Sequence, residues 1–195
     1  MATTELLYPT KTVWNMYYNL VQQKRNFGAE SYSEILNEVC SIGTIPEMMY
    51  MIENMEPAIH WPLNSNLHFF REGIVPLWED PMNAKGGKWV LEIPKSAGQS
   101  LNDLWNKTVM YVASEMIDLN KNITDSNKII CGCVFSPRKI TDRIALWTKT
   151  TDDRALAIGK EWKAVLNTDL EMGFKIHENA LKGIRERKNN LYVLN

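Results

Sequence analysis

The sequence predicts an α+β fold in which one antiparallel sheet of about eight strands carries three helices on one face. Segments with the alternation of half-buried strands follow one another through short turns, which favours antiparallel pairing. Three segments with apolar residues at helical spacing fall between the strands, so all three helices can cover the same face of the sheet. The other face is then partly open.

The strands are predicted from alternation and from their β-branched and aromatic residues. Segment 88–93 is the clearest, because Trp89, Leu91 and Ile93 share one side. Trp89 is therefore assigned to the core. The predicted strands are 13–21, 35–42, 66–71, 88–93, 129–136, 143–148, 172–176 and 191–194.

The helices are predicted from their first residues and their apolar spacing. Thr44 is typical of an N-cap, with Pro46 in the first turn. Ser100 and Asp103 resemble the capping pair of a long helix, in which Trp105 lies on the core stripe. The predicted helices follow Thr44 as far as Met55, run from Ser100 to about Leu119, and run from Asp152 to Leu166.

Length and composition indicate one globular domain that needs no disulfide or metal staple. We expect a single domain over 1–195, with flexible stretches at 1–7 and in parts of 22–31 and 178–190. The chain holds seven Trp, seven Tyr and five Phe, and amphipathic rings in this number favour a contact role for some of them. The net charge of −1 means that any nucleic-acid site must use a local basic patch.

The cysteines and the lack of an apolar leader indicate a reducing compartment. The chain has three Cys, an odd number, and no run of about 18 apolar residues that could span a membrane. Cys131 and Cys133 do not favour a metal site, because the sequence has no second Cys pair and no paired His. We predict buried strand cysteines, no metal and no cofactor.

Two outward-facing sets of residues suggest a ligand surface. In segment 143–148, Arg143 and Trp147 face away from the helices, and a cation beside a large aromatic suits a ligand better than bare solvent. Trp78 stands beside Glu79 in a long loop, where exposing an indole is costly unless it meets a partner. The alternative, that Trp78 folds back over the core, fits the composition equally well.

The loop itself carries a motif. Residues 76–80 read Pro-Leu-Trp-Glu-Asp, and residues 86–89 read Gly-Gly-Lys-Trp. With further matches in the same order, the sequence resembles the translation initiation factor 4E family, whose members bind the messenger-RNA cap. The further matches are Tyr8-Pro9, Trp14, Leu104-Trp105, Cys131-Gly132, Arg138, Trp147-Thr148 and His177. The resemblance implies a curved sheet with helices on its convex face and a cap-binding slot on its concave side.

The resemblance also implies how the cap base is held. The base, 7-methylguanine, is a flat cation that two aromatic rings can clamp by stacking and cation–π attraction. Trp78 corresponds to one ring, and the alignment gives Tyr32 for the second, with Phe27 as the alternative. Glu79 would accept hydrogen bonds from the guanine N1–H and amine, and Trp147 would lie against the N7-methyl group.

The cap's triphosphate requires cations. By resemblance these are Lys88, Arg138 and Arg143, and a solvated strand edge is the less favoured alternative for the same charges. Lys182 and Arg185 belong to a basic cluster before the last strand. They could guide the RNA beyond the cap, and a solvated loop is an equally good interpretation.

Members of this family use their convex side to bind a helical segment of a scaffold or inhibitor protein. Here that surface would consist of Tyr8, Pro9, Ile45, Met49, Asn106 and Met110. Met49 stands where the family usually has an exposed Trp, and Asn106 where it has a Leu. We therefore predict a partner with a non-standard motif, since a flexible Met adapts to different surfaces.

The resemblance implies a cytoplasmic or also nuclear monomer, with no membrane contact, that joins capped mRNA to a 4G-like scaffold or a 4E-binding regulatory protein in a heteromeric complex. A cap-binding translational repressor of the same family is the main alternative. A cap-processing enzyme is less well supported, because the three His are scattered and show no nucleophile–base pairing. A generic aromatic-rich interaction domain is the third alternative.

Overall fold

The computed structural model describes residues 8–20, 36–97, 100–114, 129–181 and 190–195. Within them, eight strands form one curved, unclosed antiparallel sheet in the order β2-β1-β3-β5-β6-β4-β7-β8. The strands are β1 (Pro9–Leu20), β2 (Asn37–Thr44), β3 (Ser65–Arg71), β4 (Gly87–Pro94), β5 (Ile130–Ser136), β6 (Thr141–Thr148), β7 (Met172–Ile176) and β8 (Tyr192–Leu194). The helices are α1 (Ile45–Asn54), α2 (Ser100–Ser114), α3 (Asp153–Leu166) and α4 (His177–Leu181), with short 3-10 turns at Ala58–His60 and Lys95–Ala97.

The predicted fold class is confirmed, with three main helices on the convex face. The fourth helix, α4, was not predicted, because five residues are too few to show a helical period. Strand β1 begins earlier than expected, at Pro9, where polar residues hid the pattern. The part of the long helix predicted beyond Ser114 lies outside the described residues, as do 1–7, 22–31 and 182–189. None of the helices within the described ranges combines the length and apolar character of a membrane span.

Helix α1 begins with a capping box. The Glu47 N–H donates to the Thr44 hydroxyl at 3.2 Å, and the Glu47 carboxylate accepts from the Thr44 N–H at 2.9 Å. This confirms the predicted N-cap. Met48 and Met51 point into the core, whereas Met49 lies on the opposite side of the helix.

The main core lies between the helices and the convex face of the sheet. Trp89 and Trp105 are buried there, as predicted. The Trp89 indole N–H donates to the Ala155 carbonyl at 2.8 Å. A Cβ at Gly159 would stand 2.2 Å from the Trp89 ring, so α3 can approach the sheet this closely only because the residue is glycine. The core therefore fixes β4, the strand that leads out of the motif loop.

A smaller apolar cluster lies on the concave face and comprises Phe70, Ile74, Cys131, Val134 and Trp147. A register shift in β5 between Ile130 and Gly132 brings Cys131 into this cluster, while Cys133 joins the main core. Both thiols are buried and free, as predicted, and burial raises the pKa of Cys131 to about 12. The concave cluster supports the loop that carries Trp78.

Candidate functional site

The strand register decides which side chains share the concave face. Lys88 on β4 lies opposite Trp147 on β6, and two residues further along Val90 lies opposite Ala145. Because side chains alternate along a strand, these residues point to the same side, away from the helices. The structure therefore confirms that Trp147 faces away from the helices, as predicted.

Trp147 forms the floor of the candidate site. Its ring is buried, packs edge-on against Phe70 at 5.4 Å between ring centres, and lies at a tilt of 50° to the His177 imidazole at 4.2 Å. Its indole N–H is buried and donates to no residue within the described part of the chain. Trp147 is thus held firmly by neighbours from β3 and α4.

The loop that carries Trp78 is fixed by the side chain of Asp80. The Asp80 carboxylate accepts from the Val75 N–H at 3.0 Å and from the Met82 N–H at 2.8 Å. Such bonds from an Asp to nearby backbone are a common way of closing a turn. They bring the two ends of the loop's tip together and leave the Trp78 side chain 37% exposed.

Asn83 stabilises the same loop through hydrogen bonds of its side chain and its backbone. Its buried side-chain amide donates to the carbonyls of Val75 and Leu77, each at 2.8 Å. The backbone carbonyl oxygen of Asn83 lies 2.9 Å from the ring nitrogen Nδ1 of His177. The loop is therefore tied both to itself and to the start of α4, the helix whose first residue packs on Trp147.

The two glycines after the loop allow a close approach to the sheet. A Cβ at Gly86 would stand 1.8 Å from the carbonyl oxygen of Thr148, a distance that no side chain permits. Gly87 is similarly close to the backbone of Lys175. These close backbone contacts explain why glycine stands at both positions of the motif.

The Lys88 ammonium group lies close to both tryptophan rings of the site. Its ammonium nitrogen lies 5.2 Å from the centre of the Trp78 ring and 5.8 Å from that of Trp147. Both distances fall within the range of a cation–π contact. The faces of these rings therefore attract positive charge, and a flat cationic ligand would have to displace the Lys88 ammonium to use the same attraction.

The predicted phosphate-binding arginines are both engaged by protein groups. The Arg138 guanidinium donates through Nη1 to the Ser65 carbonyl at 2.9 Å and through Nη2 to the Asn66 side-chain oxygen at 2.7 Å. Arg143 pairs with Glu92, which faces it across β4 and β6, at 2.9 Å. This second pair is about half exposed, and pairs of this kind contribute little and yield readily to a stronger anion.

An open cleft of about 950 Å³ adjoins Arg143 and Glu92 on the concave face. Arg143 and Glu92 line it from one side and Lys175 of β7 from the other. A cleft of this size is within the range that small ligands occupy. Its lining carries two carboxylates, Glu92 and Glu171, beside the cations Arg143 and Lys175, together with apolar side chains.

Of the remaining predicted ligand residues, only Glu79 lies within the described part of the chain. Glu79 is exposed on the loop beside Trp78. Tyr32, its alternative Phe27, and the basic residues Lys182 and Arg185 lie outside the described residues. The second aromatic ring and the RNA-guiding cluster therefore stay predictions.

The residues predicted for the partner surface are mostly exposed in the structure. The Ile45 N–H donates to the Tyr8 carbonyl at 2.9 Å, which joins the start of β1 to α1. Ile45 is 39% and Met49 40% exposed, and Met110 on α2 is exposed to a similar degree. The predicted surface comprises these residues with Pro9, exposed, and Asn106, half-buried. Exposed apolar groups in this number favour a protein partner.

Sequence reasoning missed the residues that position the site. The sequence pattern marks Asp80 only as part of the motif and Asn83 only as part of the loop, and it assigns no role to Lys175. Asp and Asn three residues apart in a loop are turn formers, which is the signal that could have identified them. The opposition of Lys175 and Lys88 gives no local signal, because it arises from the pairing of distant strands.

The chain matches known proteins along almost its whole length. The family model described as eukaryotic initiation factor 4E matches residues 9–192. Eukaryotic translation initiation factor 4E of Saccharomyces cerevisiae is 34% identical over 182 residues, which cover 92% of this chain and 81% of the yeast protein. Eukaryotic translation initiation factor 4E-3 of Arabidopsis thaliana is 32% identical over 92% of this chain and 71% of its own length.

Solved structures share the fold. A complex of Ascaris suum eIF4E-3 with an m2,2,7G cap has a TM-score of 0.80 at 24% identity, covering 97% of this chain and 99% of that one. A schistosome eIF4E complexed with m7GpppA and 4E-BP has a TM-score of 0.81 at 21% identity, covering 97% and 100%. The family model and the yeast relative together cover nearly all of the sequence, and the chain therefore belongs to the eukaryotic initiation factor 4E family.

Proposed function

We propose that this chain binds the 7-methylguanosine cap of mRNA and links it to the translation initiation machinery through a protein partner on its convex face. The observation that carries the proposal is the placement of Trp78 and Trp147 around one cation on the concave face, with Glu79 beside them. The solved relatives whose titles name cap analogues and 4E-binding proteins support it.

The geometry supports a role for each residue of the proposed base site. Trp78 offers an indole face on a loop fixed by Asp80 and Asn83, so stacking costs little ordering entropy at the moment of binding. The Glu79 carboxylate can accept hydrogen bonds from the N1–H and the amine of guanine, and adenine lacks this pair of donors. Trp147 closes the inner end of the site against the methyl group, and Tyr32 is proposed as the second stacking ring.

Lys88, Arg143 and Arg138 are proposed to bind the triphosphate. Lys88 stands nearest the two rings, so it fits the phosphates next to the base. Arg143 can exchange its half-exposed pair with Glu92 for a phosphate. Arg138 is held by carbonyl and amide oxygens that fix its direction. Lys182 and Arg185 are proposed contacts for RNA beyond the cap.

Fluorescence titration tests the proposal. Trp emission should be quenched at much lower concentrations of 7-methyl-GTP than of GTP, because only the methylated base is a cation that the rings attract. Trp78→Ala should weaken 7-methyl-GTP binding by about 1–3 kcal/mol, the range for one stacking platform. Tyr50→Ala, which removes an exposed ring from the convex side, is the matched control and should leave binding unchanged.

Guanine selectivity is tested separately. Glu79→Gln should reduce the preference for 7-methyl-GTP over 7-methyl-ATP, because the amide offers the guanine donors only one acceptor oxygen. Glu53→Gln on α1 removes the same charge and should not alter the preference. Equal binding of 7-methyl-GTP and GTP by the unmodified protein would contradict the proposed function.

The convex surface is proposed to bind a helical segment of a 4G-like scaffold or of a 4E-binding regulator. The exposed Ile45, Met49 and Met110 support this, and Met at the second position favours a non-standard motif. The family is one of cap-binding factors, and we propose that this chain, too, acts without catalysis and in the cytoplasm. Incubating it with capped RNA and magnesium and looking for released 7-methyl-GMP tests the first point.

A further inference from the structure

His177 lies between the two parts of the candidate base site, the motif loop with Trp78 and the floor formed by Trp147. It is the first residue of α4, directly after β7, and it is buried. Its backbone N–H donates to the Gly86 carbonyl at 3.1 Å, which holds the start of α4 against the end of the motif loop. The imidazole is thereby placed where it can contact the loop and the floor at the same time.

The imidazole contacts the motif loop through one ring nitrogen. Nδ1 lies 2.9 Å from the backbone carbonyl oxygen of Asn83. A carbonyl oxygen can only accept a hydrogen bond, so Nδ1 must carry the proton of this bond. The Asn83 side chain in turn donates to the carbonyl of Leu77, the residue before Trp78, at 2.8 Å. Hydrogen bonds of one residue, Asn83, thus join the imidazole to the tip of the loop.

The same imidazole packs on Trp147. The two ring centres are 4.2 Å apart, so the rings are in van der Waals contact and a shift of the imidazole must be followed by the indole. Phe70 contacts the indole as well, with its ring edge-on at 5.4 Å between centres. The position of the Trp147 ring is therefore set by one neighbour from β3 and one from α4.

The two contacts of His177 bear on how much room the site leaves beside N7 of a bound base. In the proposed base site Trp78 offers the stacking face and Trp147 closes the inner end against the N7 substituent. A residue that contacts both the loop and the Trp147 ring fixes the distance between them. In a closely packed site one extra methylene group is enough to change binding, so this distance sets which N7 substituents fit.

We propose that His177 is a positioning residue that couples the motif loop to Trp147 and thereby determines which N7 substituents the site accepts. The ligand class is a 7-alkylated guanine nucleotide, with methyl preferred over larger groups. The inference rests on the proposed cap binding and adds to it a specificity role for a residue that itself need not touch the ligand.

Two replacements separate the two contacts. His177→Phe keeps a ring against Trp147 and removes the hydrogen bond to Asn83, whereas His177→Asn keeps an N–H donor near the position of Nδ1 and removes most of the ring. His60→Phe and His60→Asn are the matched controls, because the His60 side chain is exposed in the 3-10 turn after α1. Each protein is titrated with GTP, 7-methyl-GTP and 7-benzyl-GTP by Trp fluorescence, and urea unfolding verifies that it is folded.

His177→Asn should bind 7-benzyl-GTP better relative to 7-methyl-GTP by about 10-fold, because Trp147 loses the ring that supports it. His177→Phe should weaken both 7-alkylated nucleotides by about 5-fold, the effect of one hydrogen bond, and leave their ratio unchanged. Lower stability alone would weaken all ligands in the same proportion, and the His60 variants should bind like the unmodified protein. An unchanged ratio in His177→Asn, or unweakened binding in His177→Phe, would overturn the inference.

Nuclear magnetic resonance of the unmodified protein tests the hydrogen bond without any replacement. The chain has three His, so proton–nitrogen correlation spectra of protein with 15N-labelled histidine resolve each ring. We expect His177 to carry a proton on Nδ1 and its signals to shift when 7-methyl-GTP binds. An Nδ1 without a proton, or a ring unaffected by 7-methyl-GTP, would overturn the inference even if the variants do not fold. The proposed function fails differently, with equal binding of GTP and 7-methyl-GTP by the unmodified protein.

Discussion

Replacing Asp80 by alanine tests whether the fixed loop is what makes Trp78 available. The change removes two hydrogen bonds, from the N–H groups of Val75 and Met82, that hold the tip of the loop. Each is expected to be worth about 1 kcal/mol, since water competes for exposed groups. The ordered loop then loses about 2 kcal/mol, or about 30-fold in its population relative to other conformers.

The loss should appear in ligand binding rather than in global unfolding. Apparent affinity falls with the fraction of the protein whose site is formed, so the Kd for 7-methyl-GTP should rise by up to about 30-fold. Asp80→Asn keeps one acceptor oxygen and should give roughly half the effect in free energy. The urea midpoint should move little, because both bonds lie within the loop.

Calorimetric or fluorescence titration, with urea unfolding in parallel, measures both effects. Asp103→Ala removes the same charge from α2 on the convex side and serves as the control. The reasoning is refuted if Asp80→Ala binds 7-methyl-GTP as tightly as the unmodified protein while Trp78→Ala does not. In that case Trp78 would bind the base without any need for Asp80 to position its loop.

Three further predictions concern stability and partner binding. Thr44→Ala should lower the free energy of unfolding by about 1 kcal/mol in urea, through loss of the capping box, and no change would mean that the box is dispensable. Burial lowers the pKa of His68 to about 3, so below about pH 6.5 the unfolded state binds a proton that the folded state does not. The free energy of unfolding therefore falls on acidification. Between pH 7 and pH 5, His68→Gln should lose about 2 kcal/mol less of it than the unmodified protein. Urea unfolding of both proteins at the two pH values measures this, and an equal loss in both would exclude the prediction. Met49→Asp should weaken capture of a helical scaffold peptide without altering 7-methyl-GTP binding, and a change in nucleotide affinity would argue against separate surfaces.

The faces of the strands could be predicted from sequence because alternation is a local property. Trp89 and Leu91 fell on the core side, and both are buried. Lys88 fell on the opposite side, where its ammonium meets the two indoles. The N-cap of helix α1 could also be predicted from sequence, because Thr44 and Glu47 hydrogen-bond to each other within one turn.

The positions of the site residues relative to one another were much less predictable. Nothing near Arg143 in the sequence indicates that Glu92 lies opposite it, because β4 pairs with β6 only after the chain has passed through α2 and β5. The same holds for the packing of His177 on Trp147. Even the placement of Cys131 and Cys133 on different faces needed a bulge that alternation alone would not predict.

The sequence by itself determined the fold class, the core tryptophans and, through its motif, the family. It did so because helix caps, strand alternation and a loop motif depend on neighbours a few residues away. Only the tertiary structure decided that Lys175 faces Lys88 and that Arg143 forms an ion pair with Glu92. Those pairs follow from the order and register of strands far apart in the chain, and that order is set by the packing of the whole sheet.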